Sequence, residues 1–253
     1  MIIIKSKREI ELMREAAKVT GEILHDLRSF VKPGIPTHDI DRFVEDRINH
    51  YHMKPTFKGY GGFPAATCIS VNDEVVHGFP SKERILREGD IVSVDTGATY
   101  KGYASDAART YPVGEVSETA AKLIDVTRTS FFEGVKYAMV GYRLHDISHA
   151  IQAYAESHGF GVIREYLGHG VGRDLHEDPQ IPNYGNPHTG PHLKEGMTLA
   201  IEPMITEGSY DVRTLSNEWT VVTVDGKLAA HYENTVVITD GEPELITLFD
   251  EGD

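Results

Sequence analysis

Two aspartates, Asp95 and Asp106, lie in stretches with the composition of β-strands, where aspartate is disfavoured. A Lys-Gly dipeptide between Tyr100 and Tyr103 suits a two-residue hairpin turn. If those tyrosines face each other, Asp95 lies opposite Ala108, and Asp106 is its diagonal neighbour on the same face. Two carboxylates this close repel each other unless a cation lies between them, so the hairpin predicts a site for one or two divalent ions. The hairpin alone leaves open that one aspartate points into solvent or caps a turn.

Four segments recur in the same order in both halves of the chain. The matching pairs are 34–40 with 141–147, 88–95 with 195–202, Asp106 with Glu233 and, more loosely, 76–78 with 168–170. The first two pairs are 107 positions apart, whereas Asp106 and Glu233 are 127 apart, so the second copy has about 20 extra residues between its acidic strands. We predict two homologous α/β halves, approximately 34–115 and 141–242, that close over a shared cleft within one domain, 1–253.

The repeat predicts a second pair of acidic side chains, Glu202 and Glu233, in places that correspond to the aspartates. Both lie beside apolar runs, where a carboxylate is expected to be buried and therefore paired or bound to metal. His169 lies between glycines, which let the backbone approach a site closely. Four carboxylates and one imidazole form a hard donor set that suits two Mn, Fe, Co or Zn ions. Taken alone, His169 would more often be an ordinary loop residue.

Helices and strands alternate along the chain around these candidate donors. A capping box, Ser-Lys-Arg-Glu at 6–9, starts a helix that a Pro-Gly at 33–34 stops. Further helices are predicted from Thr37, over 117–139 and over 144–157. The predicted strands are 67–71, 91–99, 103–112, 198–205, 219–224 and 232–239. No low-complexity or linker-like tract divides these elements.

The composition excludes several classes of protein. The 253 residues are 40% hydrophobic and 25% charged, as in globular proteins, and no apolar run approaches the ~20 residues of a bilayer helix. A formal net charge of -14 argues against a dedicated nucleic-acid binder, and we expect no DNA or membrane partner. Cys68 is the only cysteine, so neither an internal disulfide nor a cysteine-rich zinc finger can form. The N-terminus lacks the order of a secretory signal, and we expect a cytoplasmic protein.

The candidate donors and their flanking segments resemble, in order, the methionine aminopeptidases of the pita-bread metallopeptidase family. The flanking segments are Glu-Val-Val-His-Gly-Phe-Pro (74–80), Gly-His-Gly-Val-Gly (168–172), His-Glu-Asp-Pro-Gln (176–180) and Ile-Glu-Pro-Met (201–204). The resemblance extends from the first helix to Thr247. Only 33 positions separate His169 from Glu202, which resembles the type I enzymes, because type II enzymes carry a long helical insert there. The resemblance implies an α+β pita-bread fold, in which two pseudo-symmetric halves form a curved antiparallel sheet with helices on its outer face.

The resemblance also implies how the donors are used. In that family the aspartate that matches Asp95 chelates one ion, and the residues that match Asp106 and Glu233 bridge both. The residues that match His169 and Glu202 complete the shell of the other ion, and Glu202 is the implied proton shuttle from the attacking water to the leaving amine. The implied reaction removes the N-terminal methionine of nascent proteins and peptides when the second residue is small, since the family's cleft narrows beyond the scissile bond.

Two further histidines and a methionine pocket follow only from the resemblance. His176 would face the carbonyl oxygen of the scissile peptide and His77 its nitrogen. Without the family, both would be interpreted as surface or turn histidines. The residues implied for the pocket are Tyr60, Phe63, Cys68 and Trp219, whose thiol and rings suit a thioether. Aromatic residues at these positions could equally be ordinary core.

The sequence departs from the family pattern at two places near the implied site. Leu175 precedes His176 where the family usually has phenylalanine, which would loosen one wall of the pocket. Asn234 follows Glu233 where many relatives have histidine. Because that position is outside the donor set, we expect Asn234 to affect metal affinity and not to abolish function.

Two alternative functions remain in view at this point. An X-Pro aminopeptidase or prolidase has the same fold but usually carries an extra N-terminal domain, for which the 60 or so residues before the pocket segment leave no room. A non-catalytic pita-bread protein that binds protein or RNA usually loses metal ligands and gains basic segments, whereas all five ligands are present here. A transient ribosome contact would suit nascent-chain substrates, although no motif encodes one.

Overall fold

The computed structural model describes residues 1–249. The helices are α1 (Lys7–Phe30), α2 (Thr37–His50), α3 (Glu118–Val135) and α4 (Leu144–Ser157). The strands are β1 (Lys54–Pro55), β2 (Thr67–Val71), β3 (Glu74–Val76), β4 (Ile91–Thr96), β5 (Ala98–Tyr100), β6 (Tyr103–Ala104), β7 (Ala107–Pro112), β8 (Gly161–Val162), β9 (Gly168–Gly170), β10 (Glu177–Ile181), β11 (Thr198–Ile201), β12 (Met204–Thr206), β13 (Val212–Thr214), β14 (Val221–Thr223), β15 (Ala229–His231), β16 (Glu233–Val237) and β17 (Glu244–Leu245). A 3-10 turn, Tyr60–Gly62, separates β1 from β2. Within residues 1–249, no helix combines the length and the apolar composition needed to cross a membrane.

The ends of three helices can be compared directly with the prediction. The Ser6 hydroxyl accepts a hydrogen bond from the Glu9 backbone N–H, and the Glu9 carboxylate accepts one from the Ser6 N–H at 2.8 Å, which confirms the predicted capping box. Helix α4 has the predicted bounds. Helix α3 ends at Val135, four residues earlier than predicted, because the chain tightens there into i→i+3 hydrogen bonds, such as Ala138 N–H to the Val135 carbonyl.

One antiparallel sheet of eight strands joins both copies of the repeat. Its order is β10-β9-β11-β16-β7-β4-β2, with β17 also paired to β16. The first copy supplies β2, β4 and β7, and the second copy supplies the others. The two copies meet where β7 pairs with β16, at Ala108 with Glu233 and Ala107 with Asn234. This seam places the acidic strands of both copies side by side, in the α+β arrangement predicted from the resemblance.

The helices cover one face of this sheet, because its strands alternate apolar and polar side chains. The covered face and the helices form two core clusters. One includes Ile69 and Val94 from the sheet with Leu24 and Ile40 from the helices, and the other includes Leu199 with Phe131 and Ile147. The opposite face carries Asp95 and Glu233. The candidate donors therefore lie on the face that the helices leave uncovered.

The register predicted for the first hairpin is confirmed. Tyr100 pairs with Tyr103, and Asp95 pairs with Ala108. Lys101 and Gly102 form the turn with φ values of 48° and 83°, the left-handed conformation that a two-residue hairpin requires.

The hairpin strands are interrupted beside the aspartates, where continuous strands were predicted. Strand β4 stops before Gly97, and in a separate three-stranded sheet the outer strand β5 pairs with β1 on one side and β6 on the other. A Cβ on Gly97 would lie 2.1 Å from the Ser105 carbonyl oxygen, so only glycine allows the two backbones to cross this closely.

The second copy forms a hairpin of the same kind with longer arms. Three successive strand pairs make up this hairpin: β11 with β16, β12 with β15 and β13 with β14. They keep one register, from the pair Thr198–Val237 to the pair Thr214–Val221. The extra residues of the second copy therefore lengthen this hairpin, and its outer strand β14 also pairs with β3. The predicted strand 198–205 is interrupted at Glu202 and Pro203, since proline cannot donate to the ladder.

The looser repeat match is not reproduced in the sheet. Strand β9 pairs with β11 as β2 pairs with β4, so His169 corresponds in position to Ser70 and not to His77. His77 follows β3 outside the main sheet.

Replacing Gly97 with alanine should lower the free energy of unfolding by about 3 kcal/mol, because the new Cβ clashes with backbone that cannot move aside. Gly102→Ala is the matched control: nothing lies within 4 Å of its added Cβ, so it should cost only about 1 kcal/mol for a non-glycine residue at φ 83°. Urea denaturation of both variants measures the difference. A Gly97→Ala protein as stable as the control would contradict this account of the strand break.

Candidate functional site

A single row of residues across the sheet brings predicted side chains from both copies together. Cys68 pairs with Asp95, Asp95 with Ala108, and Ala108 with Glu233. Directly paired residues in antiparallel strands point to the same face, so Cys68, Asp95 and Glu233 share one face. The small side chain of Ala108 leaves space above the middle of the row.

Asp106 and Glu202 lie where their strands are interrupted, and each is held by a side chain from elsewhere. The Asp106 N–H donates to the Thr235 hydroxyl, at 3.1 Å, and that hydroxyl donates to the Asp106 carbonyl, at 2.8 Å. The Asn183 side-chain amide donates to the Glu202 carbonyl, at 2.9 Å. These bonds fix the backbone of both acids where ladder pairing stops.

The His169 imidazole faces two of the acids. Its Nε2 lies 3.5 Å from Asp106 Oδ2 and 3.5 Å from Glu202 Oε1. Its Nδ1 lies 2.9 Å from the Gly170 carbonyl oxygen, which only an N–H at Nδ1 can satisfy. The Nε2 lone pair is therefore directed at the carboxylates, as a metal-ligating histidine requires.

A second imidazole, His231, lies in the same cluster, and the sequence analysis missed it. Its Nε2 lies 3.7 Å from Glu202 Oε2 and 3.7 Å from Glu233 Oε2. The available signal was its spacing: His231 precedes Glu233 by two positions in a strand-like stretch, so both side chains point to the same face.

Four closely spaced carboxyl groups share this site and cannot all ionise without a compensating cation. Burial raises the pKa of Asp95, Glu202 and Glu233 well above the ordinary range, and the neighbouring Asp106 raises all three further. Burial also raises the pKa of Asp106 to about 8. Among the described residues, Oδ1 of Asp95, Oδ1 of Asp106 and Oε1 of Glu233 are buried without a hydrogen-bond partner. Such orphaned oxygens fit a bound metal ion.

The donor atoms form two groups, each compact enough for one ion. Asp106, His169 and Glu233 make one group, and Asp95, His231 and Glu233 make the other, with the donor atoms of each within 4.8 Å of one another. Glu233 belongs to both. Hard oxygen donors with imidazole nitrogen suit divalent transition metals, so these residues fit a pair of ions that share Glu233.

Arg109 is the charged group behind Glu233, and it holds the backbone of that residue. Its guanidinium donates to the Glu233 carbonyl, at 2.6 Å, and to Asn234 Oδ1, at 2.9 Å. Asn234 Oδ1 also accepts from the Thr247 hydroxyl, at 2.9 Å. Asn234 thus lies outside the donor set, as expected, and supports the arginine that positions Glu233.

A cavity of about 220 Å³ opens above the carboxylates. All eleven residues predicted for the site line it: Tyr60, Phe63, Cys68, His77, Asp95, Asp106, His169, His176, Glu202, Trp219 and Glu233. Its other walls include Phe57, Tyr166 and Leu175. The individual roles assigned to these residues remain predictions, but one cavity contains them all. Its apolar walls beside a polar floor are typical of a ligand site.

His176 and His77 stand on two sides of this cavity. His176 Nδ1 lies 2.8 Å from the Tyr60 hydroxyl, and its ring lies 4.2 Å from the His169 ring, between centroids. His77 adopts φ 59°, which is rare for a residue with a side chain, and packs edge-on against Trp219. Burial lowers the pKa of both histidines to about 4, so both imidazoles are neutral near pH 7.

Leu175, the first departure from the family pattern, packs in the pocket wall with Phe57, Phe63 and Cys68. Leucine replaces an aromatic ring there and keeps the wall apolar.

Comparisons with known proteins agree with this geometry. The model of metallopeptidase family M24 matches residues 11–240. The methionine aminopeptidase of Clostridium acetobutylicum is 61% identical over 248 residues, which are 98% of this chain and 99% of that protein. A crystal structure of methionine aminopeptidase from Thermotoga maritima superposes with a TM-score of 0.96 at 52% identity, over 98% of this chain and 99% of that one. Prolidase from Pyrococcus furiosus gives a TM-score of 0.78 at 25% identity, over 97% of this chain and only 65% of that one.

The metal-free protein should lose stability as the pH rises from about 6.5 to 8. In the unfolded chain these carboxyls have pKa values near 4, whereas in the folded protein they keep their protons to a higher pH. Each carboxyl that stays protonated therefore lowers the free energy of unfolding by up to about 1.4 kcal/mol for each unit by which the pH rises. The buried histidines act in the opposite direction only below about pH 6.5, where unfolded histidine takes up protons. Urea denaturation in EDTA at several pH values measures this slope.

Asp106→Asn is the control for that experiment, since it removes one of the titrating carboxyls and should make the slope shallower. A saturating divalent ion should abolish the decline, because metal binds the ionised form. Equal stability of the metal-free protein at pH 6.5 and pH 8 would contradict the predicted protonation of the site.

Proposed function

This chain belongs to metallopeptidase family M24 and, within it, to the methionine aminopeptidases, and on that basis we propose that it removes the N-terminal methionine of its substrates in the cavity above the four carboxylates. The predicted family and activity are thereby confirmed. The observation that supports this location is the cluster of buried, unpaired carboxylate oxygens, among the described residues, on the floor of an apolar cavity. The proposed catalytic domain comprises residues 1–253, since strands of both repeat copies share one sheet.

We infer that two divalent ions bind there. Asp95 would hold one ion, His169 and Glu202 the other, and Asp106 and Glu233 both. When bound, such ions supply positive charge that polarises a peptide carbonyl and makes a water molecule acidic enough to react near neutral pH. The donors are compatible with Co, Mn, Fe(II) or Zn.

The proton transfers fall to Glu202. It lines the cavity beside the other acids, where its carboxylate can take up and release a proton next to a bound peptide. Glu202 would accept a proton from the attacking water and deliver it to the leaving amine, after which the carboxylate is regenerated.

The two histidines would bind the scissile peptide. If the Tyr60 hydroxyl donates to His176 Nδ1, the neutral ring carries its proton on Nε2 and can donate to the peptide carbonyl oxygen. His77 would face the peptide nitrogen from the other side of the cavity. Neutral rings suit both tasks, because they add no positive charge that would compete with the ions for the carboxylates.

The methionine side chain would occupy the apolar wall. Phe63 and Trp219 meet edge-on with ring centroids 5.2 Å apart, and Cys68 lies in the same cluster. Thioether sulfur makes favourable contacts with ring edges, which would favour methionine over a branched side chain.

We also propose that the enzyme acts in the cytoplasm on nascent chains, with at most a transient ribosome contact. The support is chemical: newly made chains begin with the residue that the enzyme removes. X-Pro cleavage is the alternative activity, since prolidase shares the fold. The presence of all five predicted metal ligands argues against a function that consists only of binding.

The purified protein should release methionine from Met-Ala-Ser but cleave Met-Leu-Ser on the order of 100-fold more slowly, because a bulky second side chain would displace the scissile carbonyl by about 1 Å. Release should stop in EDTA and return with Co, Mn or Fe(II). Chromatography of the products measures both rates. Equal cleavage of the two peptides would contradict the size limit on the second residue. Full activity in EDTA would contradict the metal site. A preference for X-Pro peptides would support the alternative activity.

Glu202→Gln should keep at least one bound ion but lower kcat by about 100- to 10,000-fold, because the amide keeps an oxygen ligand and cannot accept a proton. Asp39→Asn is the matched acid-to-amide control, since Asp39 is an exposed residue in the first turn of α2 whose carboxylate lies 3.4 Å from the adjacent His38 ring. It should leave kcat unchanged. Steady-state kinetics with metal analysis of both proteins decides this. Near-normal kcat in metal-loaded Glu202→Gln would assign the proton transfer to another group.

A further inference from the structure

His231 is a buried imidazole that no step of the proposed reaction uses. It is 1% exposed, and among residues 1–249 its Nε2 has no hydrogen-bond partner. An unsatisfied buried nitrogen is costly, so its presence beside the acids requires a reason.

The backbone of His231 is firmly held. Its N–H donates to the Thr110 hydroxyl and its carbonyl accepts from the same hydroxyl, both at 2.9 Å, and it pairs with Met204 in the adjoining strand. The ring therefore projects from a fixed position toward the acids.

The distances favour a shared ion over a direct hydrogen bond. At 3.7 Å from Glu202 Oε2 and from Glu233 Oε2, Nε2 is too far away to donate to either. Donor atoms bound to one ion at about 2.1 Å lie roughly 3 to 4 Å apart. The donor atoms of Asp95, His231 and Glu233 lie within 4.8 Å of one another, so small side-chain adjustments bring them to one ion.

We propose that His231 is a sixth metal ligand, which binds through Nε2 to the ion held by Asp95 and Glu233. Each ion then has one imidazole, His169 on one side and His231 on the other, with Glu233 between them. The proposal rests on the two-ion site proposed above but not on the identity of the substrate. A nitrogen donor at the Asp95 side should favour Co or Zn over Mn at that position.

The test uses the full-length protein loaded with Co(II), without substrate. Proton NMR in water counts the strongly shifted, exchangeable imidazole N–H signals, one for each histidine bound to Co(II). Two signals are expected in the unaltered protein, and one each in His231→Gln and His169→Gln. Calorimetric titration of the metal-free His231→Gln protein with Co(II) should show one of the two binding events weakened by about 100-fold. His149→Gln, at an exposed position of α4, is the control and should change neither result.

The proposal would be overturned if the unaltered protein showed a single shifted signal and that signal were absent from His169→Gln. This outcome can be observed even if no His231 variant folds. Weaker metal binding by His231→Gln with both signals unchanged would also overturn it, because His231 would then act only as a neighbour of the ligands. Neither the NMR nor the calorimetric measurement contains a peptide. If the separate activity assay showed no release of methionine, the proposed function would fail but the test of His231 would still stand.

Discussion

The constraint that dominates this structure is the repulsion among four carboxyl groups placed together away from water. Among the described residues, no Lys or Arg side chain forms an ion pair with any of them: Arg109 bonds to the Glu233 backbone and stacks on the Tyr232 ring at 4.3 Å. The protein therefore tolerates an arrangement that costs stability in the absence of metal and gains from it when divalent ions bind. The interrupted strands, the clamping hydroxyl of Thr235 and the glycine crossing at Gly97 all serve to keep the acids in place.

The two halves contribute equally to the acids and unequally to the cavity above them. Each half supplies two carboxylates from one hairpin, and the seam between β7 and β16 brings them into one cluster. The arms of the second hairpin are longer, and they carry Trp219 back to the cavity over the first half. Symmetry thus accounts for the four acids, whereas both imidazoles come from the second half, and the longer second hairpin accounts for one wall of the cavity.

The sequence predicted those features that local rules determine. The register that places Asp95 opposite Ala108 follows from the two-residue turn, and Glu202 and Glu233 follow from the internal repeat. Cys68 and Trp219 could be assigned only through the resemblance, since their contacts join segments far apart in the chain. The strand break at Gly97 was missed because strand propensity does not register how closely two backbones cross. The break at Pro203 was missed although a proline inside a strand-like run is itself a signal of one. His231 was missed because the candidate donors came from the internal repeat and the resemblance, neither of which includes this position, although its spacing of two residues from Glu233 was a usable signal.

The chain contains one tryptophan, and it is Trp219 in the wall of the cavity. Its ring contacts those of Phe63, Phe79 and His77, so any molecule that enters the cavity changes the surroundings of its indole. Tryptophan fluorescence, excited at wavelengths that the twelve tyrosines do not absorb, is consequently an optical signal from this cavity. Ligand entry can be followed in the unlabelled enzyme, even with slowly cleaved peptides.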